Sequence, residues 1–495
     1  MKSISINDIP KKYKYLSVIL FALLFLLIPR EPDSDFYFLY KTGEYVAANG
    51  FPVKDFLSWH ANMDIIVQQW LFDVFLYYVY TLLGKLGVIL YQYVIFVLIT
   101  LAFFILIKKV SKNGFVAFLA TFVLSSFLAA EFITCRPQCF TYLLLILELL
   151  VLEKYVESKK ASYLLLLPLI SALLINLHAS MWLMVLLFML PYLIQSVPIK
   201  LGKIRQTPCC SFLWLFAAFA ASLCAGFVNP YGIKAMLYLF SSYGVQEINI
   251  GITEMNPVGW NSVGGKLLIC FVFASAFLLI FNRKGKNELR FILLSVGTAY
   301  IGLSSLKGYP YFLIAVLLAL AYSYKDFTFN VRLSEKKADK KTLTIRIVSS
   351  CVLVALICAL GALQFGVIKL SDDNEYPIEE SLEPVVAELK EICNEETILY
   401  NGFNEGAFLE YNGIPAFIDA RAELFLKSNN HEEDYFTDYY NIAFAKVYYK
   451  DFVDKYDFNC LLVSKYTEKY LYNSLINDSD FTVVYSEGEY AIFTR

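Results

Sequence analysis

Two aspartates directly follow the first long apolar run of the chain. Asp33 and Asp35 come a few residues after the apolar run 13–30 and just before an amphipathic helical pattern. A carboxylate at a membrane surface can take the proton of a hydroxyl group as that hydroxyl attacks carbon, which is general-base catalysis. Either aspartate could instead simply cap the helix that follows. We predict that Asp35 is a general base and that Asp33 is its substitute.

Further polar residues stand at the ends of other apolar runs. Cationic side chains there could stabilise a phosphate leaving group, and the other side chains could orient a substrate. For the basic residues the alternative is snorkelling to lipid headgroups, and for the histidine it is a hydrogen bond to the backbone in the core. The predicted substrate-binding residues are Asp55, Arg136, His178, Glu254, Lys307 and Tyr309.

The elements that position these residues are expected to lie in a membrane. Of the 495 residues, 58% are hydrophobic and only 17% are charged, and the mean hydropathy is +0.55. A soluble protein of this length could not bury so much apolar surface, whereas a bilayer accepts it directly. The first apolar run follows basic residues and lacks a small-residue cleavage site, so we interpret it as an uncleaved transmembrane helix.

Charge decides how many apolar runs cross the bilayer. If the run 70–83 crossed it, the basic residues 108–112 would lie outside, against the positive-inside tendency. If 70–83 lies along the outer interface, 24 Lys and Arg residues are cytoplasmic and about 8 are external before the tail. We therefore predict eleven spans, with the N-terminus inside and the C-terminus outside. The spans are 13–30, 86–107, 114–130, 138–153, 162–177, 180–197, 211–228, 265–282, 289–306, 309–324 and 346–368.

The end of the chain differs from the rest in charge and pattern. Residues 369–495 carry 10 basic and 26 acidic side chains, whereas residues 1–368 have a net charge of about +14. Strand-like runs alternate with helical patterns in this tail, which ends in a hairpin that turns at Glu487-Gly488. We predict that 369–495 is a soluble extracytoplasmic α/β domain that folds separately. The strand-like runs are 397–400, 416–418 and 460–463.

Two charged residues of the tail follow a strand-like run. Asp419 and Arg421 stand where α/β sheets place ligand contacts. They could recognise an acceptor glycan, or they could pair with each other only to fix the turn. We favour the structural ion pair.

The first external loop, 31–85, has a characteristic order of features. An aspartate, Asp35, follows the first span, and an interfacial helix then ends at Gly50. Pro52 comes next, and a second interfacial helix ends at Gly84. This order resembles that of the GT-C superfamily of membrane glycosyltransferases, in which protein O-mannosyltransferases and lipid A aminoarabinose transferases share it.

The resemblance covers roughly residues 13–107 by motif, and it extends to about residue 368 by span count and topology. Two departures stand beside it: Phe36, rather than Glu, follows Asp35, and no clear Asp follows the third span.

The resemblance implies a GT-C-like membrane protein of about eleven transmembrane helices. It implies transfer of a sugar from a polyprenyl-phosphate donor to an extracytoplasmic glycan, lipid or protein, with Asp35 as the base. The superfamily includes enzymes with and without a divalent metal, so the cofactor stays open. Membrane lipid is a further expected partner, and the plasma membrane is the expected location. Nucleic acid is excluded because the basic charge is scattered over short loops and the tail is acidic.

Two other functions stay open. A transporter or flippase of lipid-linked glycans should carry ionisable residues at mid-bilayer, whereas here such residues stand at span ends. Glu148, near the cytoplasmic end of its span, is interpreted as snorkelling. A glycan polymerase or ligase usually concentrates arginines in one large external loop, but loop 229–264 contains none. We therefore rank both below sugar transfer.

Overall fold

The computed structural model describes residues 21, 23–28, 33–60, 62–201, 204–206, 208–242, 248, 252, 255–256, 258, 263–281, 288–325 and 378–495. The predicted first span is described only in part, and the predicted last span, 346–368, lies outside the described residues. Each of the other nine predicted spans falls on a helix.

Apolar helices make up most of the membrane part. Four helical stretches of the described residues are long and apolar enough to cross a membrane, and four shorter apolar helices accompany them. In chain order the helices are α1 (Asp35–Asn49), α2 (Trp70–Ser111), α3 (Gly114–Glu131), α4 (Gln138–Ser158), α5 (Leu166–Leu177), α6 (Leu183–Ser196), α7 (Phe212–Ala225), α8 (Ile233–Met236), α9 (Tyr238–Ser242), α10 (Val263–Ile280), α11 (Leu289–Ser304) and α12 (Tyr309–Ser323), and a small antiparallel hairpin is formed by β1 (Ile199–Leu201) and β2 (Ile204–Gln206).

Helix α2 is interrupted at Gly84. Its 42 residues would extend about 63 Å as one straight helix, which is about twice the thickness of the hydrocarbon core. The backbone leaves the helical conformation at Gly84, where φ is 60° and ψ is −151°. Glycine adopts such a positive φ without a steric penalty. The break falls where the sequence predicts the end of the second interfacial helix.

A buried ion pair joins three helices at the end of α4 that is far from Asp35. The Arg290 side chain on α11 is 6% exposed, and its Nε lies 2.8 Å from Glu153 Oε1 on α4. Tyr192 on α6 donates its hydroxyl to the same oxygen. Arg290 is one of the basic residues by which the sequence assigns the cytoplasmic side. It is buried in the bundle rather than exposed in a loop.

Glu148 is not at a helix end. It is the central residue of α4 and is 0% exposed. Neither carboxyl oxygen has a hydrogen-bond partner among the described residues. The prediction that Glu148 snorkels to the interface is therefore wrong, because a snorkelling side chain must reach water.

The tail contains a four-stranded sheet with the strand order β3-β4-β6-β5. Strand β3 runs parallel to β4, and the other neighbouring strands are antiparallel. Every residue of β4 is buried, as expected for a central strand. The elements are α13 (Ile378–Ile392), β3 (Leu399–Tyr400), α14 (Gly406–Tyr411), α15 (Lys427–Asn430), α16 (Tyr435–Ala443), α17 (Tyr449–Lys455), β4 (Cys460–Ser464), α18 (Lys469–Leu475), β5 (Thr482–Tyr485) and β6 (Tyr490–Thr494).

Residues 416–418, which the sequence predicts as a strand, do not form one. The backbone N–H of Phe417 donates to Asn401 Oδ1 at 2.7 Å, and Ala416 O accepts from the N–H of Trp59 at 3.2 Å. The ring Nε2 of His60 lies 2.7 Å from Phe417 O. A side chain and the first external loop thus satisfy polar groups that a neighbouring strand would otherwise satisfy.

The first external loop completes the core of the tail. Met63, Ile65 and Val67 are buried in the same apolar cluster as Tyr400 and Phe417 of the tail. Burying a side chain of this kind contributes about 1.5–3 kcal/mol. We therefore revise the prediction that the tail folds separately, because part of its core comes from the loop.

Candidate functional site

The two aspartates before and at the start of α1 turn towards one arginine. Arg136 Nε lies 2.6 Å from Asp33 Oδ2 and 3.1 Å from Asp35 Oδ2. The helix begins at Asp35, and the residue before it, Ser34, makes no side-chain capping hydrogen bond. The N–H of Phe36 donates to the backbone oxygen of Asp33 rather than to its carboxylate. The geometry therefore favours an ion-pair role for these carboxylates over the capping alternative.

Arg136 is fixed by the connection that precedes α4. Pro137 follows it directly, at the position before the first residue of α4. The hydroxyl of Tyr91 on α2 donates to Arg136 O at 3.3 Å. The Arg136 side chain is 15% exposed, so its charge lies in a partly desolvated position where Coulomb interactions are stronger than in water.

His178 lies in the sharp connection between α5 and α6. Its Nδ1 is 2.8 Å from Thr141 Oγ1 on α4, and the next residue, Ala179, donates its N–H to Gln68 O. Burial first, and the charge of Lys307 second, lower the pKa of His178 to about 3. The imidazole is therefore neutral at physiological pH.

Lys307 comes from a fourth connection, the short 3₁₀ helix Leu306–Gly308 between α11 and α12. Ser305 caps this turn by accepting from the N–H of Gly308 at 3.2 Å. The close packing of Gly308 on the backbone of Ile301 leaves no room for a side chain, since a Cβ there would lie 2.3 Å from Ile301 O. The turn is therefore held firmly, with Lys307 at its centre.

These four connections meet at one cavity. Asp35, Arg136, His178 and Lys307 all line it. They come from parts of the chain that are far apart in sequence and are brought together by α1, α4, α5 and α12. Residues of the tail close the cavity on another side: Ala420, Arg421, Glu423, Leu424 and Asn429.

Several buried oxygen atoms of the cavity lining have no donor among the described residues. They are both carboxyl oxygens of Asp73 and the side-chain oxygens of Gln68 and Gln138. Asp73 is 0% exposed. Unpaired buried acceptors are costly, so the cavity suits a ligand that donates hydrogen bonds. Asp73 is not among the site residues predicted from the sequence, although an acid inside an apolar interfacial helix is a usable signal.

Asp55 is directed to the tail, not to the cavity. Its Oδ1 lies 2.5 Å from Arg421 Nη1, and its Oδ2 accepts from Ser58 Oγ and N. Burial alone would raise the pKa of Asp55, but the charge of Arg421 and the bonds from Ser58 hold it below its ordinary value. Both oxygens are occupied by structural contacts, so we no longer assign Asp55 to substrate binding.

Arg421 is surrounded by carboxylates. Besides Asp55, it contacts Asp419, with Nε 2.9 Å from Oδ2, and Glu410, with Nη2 3.3 Å from Oε1. Burial and then the charge of Asp419 raise the pKa of Glu410 well above its ordinary value. The expected Asp419–Arg421 ion pair is thus part of a larger cluster that ties the loop to the tail.

Two further predicted site residues lie elsewhere. Tyr309 is buried and donates its hydroxyl to Leu268 O at 3.0 Å, so it contacts the bundle and does not line the cavity. Glu254 lies outside the described residues.

The described residues do not fit a divalent metal site well. Asp35, which lines the cavity, and the nearby Asp33 already share the guanidinium of Arg136. Within the described ranges, no group of three or more His, Cys, Asp or Glu side chains is arranged to hold a metal ion.

Comparison with known proteins gives a match in fold. No protein-family profile matches the sequence, and no curated protein does. The oligosaccharyltransferase of Archaeoglobus fulgidus, tethered to an acceptor peptide containing the NVT sequon, has a TM-score of 0.54 and 10% identity, over 92% of this chain and 69% of its own. Its apo form has a TM-score of 0.53 and 11% identity, over 91% and 69%. ArnT from Cupriavidus metallidurans, bound to undecaprenyl phosphate, has a TM-score of 0.52 and 14% identity, over 97% and 98%.

These neighbours are GT-C glycosyltransferases, so the predicted resemblance to this superfamily is confirmed at the level of the fold. The chain is a multi-pass membrane protein with a mostly helical GT-C fold.

Proposed function

From this fold and its cavity, we infer that the protein is a membrane glycosyltransferase that moves a sugar from a polyprenyl-phosphate donor to an extracytoplasmic glycan, lipid or protein. The observation that carries the proposal is the convergence of Asp35, Arg136, His178 and Lys307 on one cavity. The undecaprenyl phosphate of ArnT and the acceptor peptide of the oligosaccharyltransferase support substrates of these two kinds.

The proposed reaction is a displacement at C1 of the donor sugar. The acceptor hydroxyl attacks C1, the bond between C1 and the phosphate oxygen breaks, and the proton passes to the carboxylate of Asp35. Arg136 and Lys307 stabilise the negative charge of the leaving polyprenyl phosphate. Asp35 suits the role of base better than Asp33, because Asp35 lines the cavity and Asp33 makes the shorter contact with Arg136.

Arg136 also couples donor binding to the base. Its guanidinium contacts both Asp33 and Asp35. A phosphate that binds the guanidinium weakens its hold on Asp35 and leaves that carboxylate more basic. The donor therefore binds before the acceptor is activated.

The sugar occupies the part of the cavity that is rich in unpaired acceptors. Asp73, Gln68 and Gln138 offer oxygen atoms that sugar hydroxyl groups can satisfy. Neutral His178 adds one ring nitrogen as an acceptor or donor. No step of the proposed reaction is assigned to a metal ion, because Asp33 and Asp35 share the guanidinium of Arg136.

The N-terminus is placed in the cytoplasm and the tail outside it in this proposal. The positive-inside distribution of Lys and Arg supports that orientation. The acceptor then enters from the side of the tail, whose Arg421, Glu423 and Asn429 line the cavity.

The deciding experiment is Asp35→Asn, assayed in membranes with a panel of polyprenyl-phosphate sugars. The amide keeps the size of the side chain but cannot accept the proton, so the rate should fall by about 10²–10⁴-fold. The Asp33→Asn variant should lose much less of the transfer rate. The matched control is Glu44→Gln on the same helix, where Glu44 makes a surface pair with Lys41. Normal turnover by the Asp35→Asn variant would sink the proposal.

Transport of a lipid-linked glycan is the second candidate, and Glu148 is the observation that favours it. A buried acid at the centre of a membrane helix is typical of ion and proton pathways. In vesicles, Glu148→Gln should abolish lipid translocation if the protein is a transporter. If it is a transferase, sugar transfer should continue in that variant while failing in Asp35→Asn.

A further inference from the structure

A second concave surface lies on the membrane face of the bundle, away from the cavity around Asp35. This groove is formed by α2, α4, α5 and the 3₁₀ turn Ala161–Leu165, and its volume is about 560 Å³. That size is within the range of ligand-binding pockets. Apart from two lysines, Lys109 and Lys154, the side chains that line it are apolar or aromatic.

The length of the groove matches one leaflet of a bilayer. On α4 its lining runs from Leu144 to Lys154, which is about 15 Å of helix and about half of a hydrocarbon core of ~30 Å. The lysines stand at the end of α4 opposite to Arg136. A lipid in this groove therefore belongs to the leaflet opposite the cavity.

The lysine end of the groove carries an unbalanced positive charge. Lys109 contacts Glu157, and Lys154 Nζ lies 4.0 Å from the same carboxylate. Two cations thus share one anion. Lys154 also lies 5.9 Å from the ring centroid of Tyr163. Lys112 also acts on Glu157, so cations outnumber the acid at this end and an anionic headgroup would offset the excess.

We propose that the groove binds one anionic phospholipid of the leaflet opposite the cavity. An acyl chain packs against Leu147 and Leu169, and the headgroup phosphate lies between Lys109 and Lys154. With the N-terminus inside, this is the cytoplasmic leaflet. The site is separate from the proposed transfer reaction and does not depend on it.

The test is native mass spectrometry of the full-length protein, titrated with phosphatidylglycerol or with phosphatidylcholine of the same acyl chains. A basic residue near the membrane surface changes anionic-lipid affinity by about fivefold. Lys109→Gln/Lys154→Gln should therefore weaken phosphatidylglycerol binding by about 25-fold and leave phosphatidylcholine binding unchanged. The control is Lys108→Gln, which removes an adjacent exposed lysine that does not line the groove; it should bind like the wild type.

A second pair of variants tests the apolar part. Leu169→Trp fills the groove and should weaken binding of both lipids, whereas Leu90→Trp, on a lipid-facing part of α2 outside the groove, should not. The proposal fails if the double lysine variant keeps the preference for phosphatidylglycerol, or if Lys108→Gln loses it equally. It also fails if polyprenyl phosphate displaces phosphatidylglycerol from the groove, or if a photo-cross-linker at Leu169 captures residues 346–368 of the same chain.

Discussion

A single guanidinium holds both carboxylates that precede and begin α1. Arg136 contacts Asp33 and Asp35 within 3.1 Å, so the residue proposed to bind the phosphate also restrains the residue proposed to take the proton. The same cavity holds a neutral His178 and the ammonium of Lys307. Partial burial strengthens the ionic contacts of Arg136 with the two carboxylates, because Coulomb interactions weaken in bulk water.

Replacing Arg136 should mainly weaken the binding of the donor. Hydrogen bonds to charged groups contribute about 1.5–3 kcal/mol, so Arg136→Gln should raise the KM for the polyprenyl-phosphate sugar by roughly 10–100-fold. Arg136→Lys should recover part of the loss, because the charge remains but the planar fork does not. Steady-state kinetics check this, with Lys85→Gln as the control, since Lys85 pairs with Glu379 at the surface. An unchanged KM would show that Arg136 does not bind the donor.

The tail contains a buried carboxyl group that should make its stability depend on pH. Burial first and the charge of Glu405 second raise the pKa of Glu468 to about 8, against an ordinary value near 4.3 when unfolded. The folded state therefore binds the extra proton. The stabilisation is complete below about pH 4 and is lost as the pH rises through about 8.

Glu468→Gln imitates the protonated acid at every pH. The melting temperature of this variant should match that of the wild type below about pH 4, exceed it increasingly between about pH 4 and pH 8, and exceed it by a constant margin above about pH 8. Thermal unfolding of the full-length protein across this range measures the difference. The control is Glu432→Gln, at an exposed site. A difference that shrinks with rising pH would contradict the assignment.

At the scale of elements, α1 and α2 touch through their backbones. A Cβ at Gly43 would lie 2.0 Å from Asp73 O and 2.9 Å from Tyr77 Cβ, so only glycine allows this approach. The contact fixes α1 relative to the cavity, because Asp35 starts one helix and Asp73 lies in the first turn of the other. The interfacial helices that the sequence predicts are therefore one packed unit.

Gly43→Ala should separate the two helices. Overpacking of this kind costs about 1–3 kcal/mol, and a displacement of the proposed base by about 1 Å can reduce a rate by about 100-fold. We expect a large loss of transfer with a moderate loss of thermal stability. Gly297→Ala on α11 is the matched control, because a Cβ there would meet no atom within 4 Å. Equal behaviour of the two variants would show that the contact does not position the base.

At the scale of the whole molecule, the first external loop connects the membrane part to the tail. Its apolar residues complete the core of the tail, and Asp55 enters the carboxylate cluster around Arg421. The tail in turn contributes side chains to the cavity lining. A substitution in the tail can therefore alter the cavity in which the proposed reaction takes place, because tail side chains line that cavity.

The isolated tail should be unstable for the same reason. Losing Met63, Ile65 and Val67 removes about 1.5–3 kcal/mol each, which is a large part of a typical stability of 5–15 kcal/mol. We expect residues 372–495 alone to unfold without cooperativity, and a fusion that supplies residues 51–69 through a flexible linker to unfold cooperatively. Near-UV circular dichroism during heating distinguishes them. Equal cooperativity of the two proteins would show that the tail is independent.

Contiguous features of the sequence were enough to predict the membrane class, the positions of nine helices and the order of elements in the first loop. Hydropathy and the glycine at residue 84 are local properties, and a bilayer imposes helices on any sufficiently long apolar segment. Asp35, Arg136, His178 and Lys307 were predicted from the sequence as polar residues at span ends, and the structure brings all four to the cavity lining. Which polar residues would meet could not be inferred from spacing.

The contacts between these distant residues depend on the tertiary structure. Arg136 is 103 residues from Asp33, and Arg421 is 366 residues from Asp55. Insertion of the loop into the tail places Asp55 against Arg421 rather than at the cavity. Packing of the helices places Asp73 in the cavity lining and leaves Glu148 buried at the centre of α4. Such placements depend on which faces of several helices pack together, and hydropathy along one segment carries no information about its partners. For this reason the class of the protein follows from its sequence, whereas the composition of its site follows from its fold.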